Sequence, residues 1–61
     1  MREWFIKIRY SFFSGGSETL TFNPYAESRE SAILQARDAA FAVYGHVDGI
    51  IEVVTVNEVR K

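Results

Sequence analysis

The chain has no cysteine, and only one proline, one histidine and one methionine among its 61 residues. Without cysteine there is neither a disulfide nor a thiolate metal site, a usage that suits a reducing cytosol. The lone histidine, His46, excludes a cluster of imidazole metal ligands. No apolar run approaches the roughly 18 residues of a membrane-spanning helix. The opening "MREW" enters a strand-like pattern without the apolar stretch and cleavage site of a secretory signal. A surplus of either charge is missing too: seven Lys and Arg stand against eight Asp and Glu, for a net charge of −1. General nucleic-acid binding rests on surplus cations, so this balance argues against it. The expectation is one soluble, cytoplasmic domain near the lower size limit for unaided folding. It buries only about 60% of the surface that its unfolded chain exposes.

What is present is alternation. From Glu3 to Phe13, one side carries Trp4, Ile6, Ile8, Tyr10 and Phe12; the other carries Phe5, Lys7, Arg9, Ser11 and Phe13. The aromatic and β-branched content makes this run a strand. A second strand over 17–23 alternates Leu20 and Phe22 with Thr19, Thr21 and Asn23. It stops near Pro24, which has no N–H to give a ladder. A two-residue Gly15-Gly16 turn would set Tyr10 opposite Thr21 and invert the second strand's faces. A three-residue loop, Ser14-Gly15-Gly16, keeps the faces aligned with Gly16 in the left-handed position. It predicts the pairs Phe12–Glu18, Tyr10–Leu20 and Ile8–Phe22.

The spacing then predicts a helix over about 29–44. Ser28 is the N-cap, Glu30 lies in the first turn, and Gly45 is the stop. Ala32, Ile33, Ala36, Ala40, Phe41, Val43 and Tyr44 form a wide apolar stripe on a 3.6-residue period, with Leu34 at its edge. The alanines imply close approach of the helix backbone to a sheet. A third strand over about 50–59 is strongly β-branched, but its two sides are equally apolar. That pattern means partial burial on both faces, or a bulge that switches them midway.

The order β-β-α-β makes an α+β fold: a two-layer ββαβ domain whose three-stranded antiparallel sheet, order 2-1-3, has one helix packed on one face. A single helix covers a single sheet face. The other face then holds Phe5, Lys7, Arg9, Phe13, Thr19 and Thr21, the candidate partner-binding residues. Three readings follow: isolated apolar groups on a solvated face, an interface with another protein or a second copy, and a platform for single-stranded nucleic acid.

Catalytic and ligand motifs are sparse. "SGGS" lacks the spacing and the Lys-Ser/Thr ending of a phosphate loop, and reads as a turn. His46 and Asp48 lie close in sequence, but no nucleophile completes a triad. Glu18, Glu27, Glu30, Asp38, Glu52 and Glu58 show no metal-loop or glycosidase-like grouping. No enzymatic activity, cofactor or metal is expected.

Residues 20–36, "LTFNPYAESRESAILQA", run from a strand through "YAES" into a helix. Together with "EWFIKIRYSFF" before and "IIEVVTVNEVR" after, this layout resembles the small host RNA-polymerase inhibitor proteins of short-tailed coliphages. Those proteins combine a small antiparallel sheet with one helix, and carry arginines in the last strand and an acidic strip. Here Arg60 stands near the matching place, beside Asn57 and Glu58. The resemblance implies a phage-encoded protein that acts in the host cytoplasm by binding another protein.

Overall fold

The computed structural model describes residues 1–44 and 49–60. Along the chain run β1 (Arg2–Phe12), β2 (Ser17–Phe22), β3 (Tyr25–Ala26), α1 (Arg29–Tyr44) and β4 (Gly49–Glu58). All three other strands pair antiparallel with β1, giving a four-stranded sheet with one helix. Residues 6–11 of β1 pair with β2 and β4 at once, so those two strands lie on opposite sides of it, as expected.

The additional strand, β3, is only two residues long. Arg2 pairs with Ala26 and Glu3 with Tyr25, in the same register that joins Ile6 to Phe22. β3 is therefore the resumption of β2 after an interruption at Pro24. The interruption has a chemical cause. Trp4 N–H donates to Pro24 O at 2.9 Å, but proline has no N–H to return. The Asn23 side-chain amide donates to Trp4 O instead, at 3.4 Å.

The hairpin corrects the expected register. Ile8 meets Leu20 and Tyr10 meets Glu18, two residues away from the expected partners. The loop still spans three residues, but they are Phe13, Ser14 and Gly15. Phe12 N donates to Gly16 O at 3.1 Å, and Gly15 N to Phe12 O at 3.0 Å. Gly15 and Gly16 both have positive φ, 106° and 84°, so the first glycine takes the place expected of the second. A shift of two preserves each strand's faces. The apolar pattern had fixed the face but not which glycine turns the chain.

In β4 the bulge alternative is realised. Pairing runs from Trp4↔Glu58 to Lys7↔Thr55, then slips by one to Ile8↔Val53. Val54 is the extra residue, and its insertion turns Ile51, Val53 and Val56 to the helix side on both halves of the strand. These three pack against a buried cluster that includes Trp4, Ile6, Ile8, Ala32, Ala36 and Ala40.

The helix is capped as the sequence predicts, with Ser31 N–H donating to Ser28 Oγ at 3.2 Å. Its buried side is narrower than expected. Only Ala32, Ala36 and Ala40 are fully buried, one per turn. Phe41 stands about 140° around the helix from Ala36 and is 50% exposed. Val43, past the last buried alanine, and Leu34 are each 61% exposed. Alanine explains the difference: it lets the backbone sit so close to β1 that only a narrow strip reaches the sheet. Gly45, His46, Val47 and Asp48 lie outside the described residues, and with them the expected helix stop and the His46–Asp48 pair.

Candidate functional site

α1 packs on the face of the sheet that holds the buried Trp4, Ile6, Ile8 and Tyr10. Among the described residues, no element covers the other face. The cross-strand register sets out that face row by row. Phe5 lies beside Asn57, and Lys7 sits between Thr21 and Thr55. Arg9 follows between Thr19 and Glu52, then Ser11 between Ser17 and Ile50. Five of the six expected site residues therefore share this surface. Phe5 and Lys7 are half-buried by their neighbours, while Arg9, Thr19 and Thr21 are exposed.

Phe13 is placed differently. β1 ends at Phe12, so Phe13 is the first residue of the hairpin loop and is 69% exposed there. Eight residues along an extended chain separate it from Phe5 by about 27 Å, so the two rings form no single patch. What the sequence could not assign are Ile50 and Val54, 58% and 42% exposed. The bulge decides this. It puts Ile50, Glu52, Thr55 and Asn57 on the helix-free side, with Val54 exposed at the slip itself.

The cations of the sheet are largely answered within the chain. Arg9 approaches Glu52 at 3.8 Å across the open face. Arg2 bonds Glu58 at 3.2 Å, donates to Glu27 O, and lies 5.4 Å above the Trp4 ring. No salt bridge involves Lys7 among the described residues.

On the covered side, the hairpin end is closed by rings. Tyr10, Phe12 and Tyr44 stand within 4.3–5.8 Å of one another, centroid to centroid. The Tyr44 hydroxyl donates to Glu18 at 2.8 Å. Loss of hydration raises the Tyr44 pKa above its ordinary value, and the hydrogen bond and negative charge of Glu18 push it the same way.

The described residues form shallow surface cavities, of which two stand out. One, of about 270 Å³, lies where β2 breaks, between Phe22, Pro24 and Ala36. The other, of about 300 Å³, is lined by Arg2, Glu3, Tyr25 and Glu58. Among the described residues no three His, Asp or Glu side chains group as metal ligands, and no helix is long and apolar enough to cross a membrane.

Comparison with known protein families, curated proteins and solved structures finds no match. The fold and surface define a class: a small two-layer α+β domain with one face of its sheet left uncovered by the described residues.

Proposed function

We propose that this chain is a small non-enzymatic protein-binding module that docks through the helix-free face. The observation that carries the reading is the composition of that face. Hydroxyl and amide side chains surround a half-buried Phe5, with Ile50, Val54 and the loop-borne Phe13 offering apolar contacts around them. Burying a second face on a partner adds stability that so small a domain has few other ways to gain. In this reading Phe5 and Phe13 are separate anchors, and Lys7, Arg9, Thr19 and Thr21 supply orientation through charge and hydrogen bonds. Following the resemblance, the module is a phage-encoded inhibitor of a host protein in the host cytoplasm.

A protein partner is favoured over single-stranded nucleic acid by the state of the cations. Arg9 already faces Glu52, and the net charge is −1, so little attraction is left for phosphates.

Bacterial RNA polymerase is the first partner to test, by calorimetry against the wild-type chain and a Phe5→Asp/Phe13→Asp variant checked for folding by circular dichroism. Binding by the wild type and its loss in the variant support the proposal; equal binding by both places the docking surface elsewhere. A labelled single-stranded oligonucleotide titrated at low salt, where phosphate attraction is strongest, should show no saturable binding.

A further inference from the structure

The two lateral edges of the sheet are unlike. On the β2 side the strand is six residues long, is interrupted at Pro24, and resumes for only two residues. A proline and a break are common means of blunting an edge against further pairing. On the other side β4 runs for ten residues, Gly49–Glu58, with no proline and no lysine, and its one irregularity is the bulge at Val54. It spans about 34 Å of extended backbone.

Alternation of the ladder fixes which β4 groups remain unpaired. Odd-numbered β1 residues turn their backbone toward β4, as the Val59 N–H to Glu3 O bond of 2.9 Å records. On β4 the partners Ile50, Glu52, Thr55 and Asn57 therefore point inward. Ile51, Val53, Val56 and Glu58 direct N–H and C=O away from the sheet. Among the described residues, no turn or loop backbone hydrogen bond satisfies that side. The side chains of Ile51, Val53 and Val56 are half-buried on the helix side, although they pack on the core.

We propose that two copies of this chain join antiparallel along the β4 edge, forming one continuous sheet through both molecules. A second copy fits because the edge complements itself. With the two-fold axis at Val53, Val53 meets its own counterpart. Allowing for the bulge at Val54, Ile51 meets Val56 of the other copy and Val56 meets Ile51. Apolar rows thus cover apolar rows, as an isologous interface requires. The acidic groups do not oppose this. In that register no carboxylate lies directly opposite another: Glu52 meets Thr55, the two Glu52 side chains stand diagonally across the axis, and Glu52 and Glu58 are matched by Arg9 and Arg2 of their own chain. Antiparallel pairing of like edges puts the axis perpendicular to the sheet. Both helices then lie on one side, and the two open faces merge into one surface. The pairing does not depend on the reading of that face as a docking site.

The test is solution mass by light scattering across a concentration series, joined to amide hydrogen exchange resolved by residue. Wild type should approach twice the single-chain mass, with exchange at Ile51, Val53 and Val56 slowing as concentration rises. Val54→Lys and Ile50→Lys each place a lysine at an exposed edge position, where it should leave the fold intact and return the mass to one chain. Phe5→Asp/Phe13→Asp should leave the dimer in place. A single-chain mass at millimolar concentration overturns the proposal. So does a dimer that survives both lysine variants, or one that yields only to the Phe5/Phe13 pair, which would move self-association to the open face. Unchanged exchange at the three amides in a dimeric sample also overturns it.

Discussion

Gly49 offers the sharpest test of the packing. It stands at the first position of β4 with an ordinary backbone conformation, so its lack of a side chain serves space rather than φ. A Cβ built there falls 2.2 Å from Tyr10 Cε1, 2.9 Å from Cζ and 2.6 Å from Ser11 O. The ring cannot swing clear easily, being 2% exposed and held 4.3 Å from Tyr44 and 5.1 Å from Phe12. The oxygen belongs to the backbone of the central strand and moves only with it. Overpacking typically costs about 1–3 kcal/mol, and two obstructions together put Gly49→Ala at the upper end. A domain of this size has roughly 3–9 kcal/mol of stability in all. The expected fall in melting temperature is on the order of 10–20 °C. Urea unfolding followed by circular dichroism measures the loss directly. Repeating it in a Tyr10→Leu background separates the obstructions: with the ring gone and Ser11 O still present, the penalty of Gly49→Ala should fall by about half. A Gly49→Ala protein within about 0.5 kcal/mol of wild type would refute the reasoning. So would a penalty that Tyr10→Leu leaves unchanged.

Two further outcomes follow from buried or partnered polar groups. Trp4 donates its indole N–H to Ala26 O at 3.1 Å inside the core, so Trp4→Phe removes that hydrogen bond. A loss of about 0.5–1.5 kcal/mol beyond the lost apolar contact is expected from chemical denaturation. Because folding raises the Tyr44 pKa, the stability it contributes is complete below the unfolded phenol pKa and disappears as pH rises through the folded one. Thermal melts from about pH 8 to 12 should therefore show a steeper alkaline decline in wild type than in Tyr44→Phe; parallel curves would remove the Tyr44–Glu18 contact from the account.

Much of the architecture was legible in local pattern. The alternation of Trp4, Ile6, Ile8 and Tyr10 marks the buried face, because a period of two leaves one assignment once a helix stripe must be met. Ser28 and the alanines at 32, 36 and 40 likewise announce a capped helix lying close to a sheet. The hairpin register was not legible, since either glycine of the pair can adopt positive φ. Only the pairing of Ile8 with Leu20 shows that Gly15 does the turning. Of the candidate surface, Phe5, Lys7, Arg9, Thr19 and Thr21 follow from alternation. The exposure of Ile50 and Val54 does not.

Taken alone, the order of residues determined which side of the first strand is buried, where the helix begins, and that one helix packs on one face of the sheet. These are properties of neighbours a few positions apart, and local sterics with side-chain periodicity settle them. The tertiary structure alone decided the slip at Val54, the resumption of pairing beyond Pro24, and the contrast between an edge broken at a proline and one that runs on through a bulge. Each depends on which backbone groups find partners across the sheet, and a strand's own sequence does not carry that information.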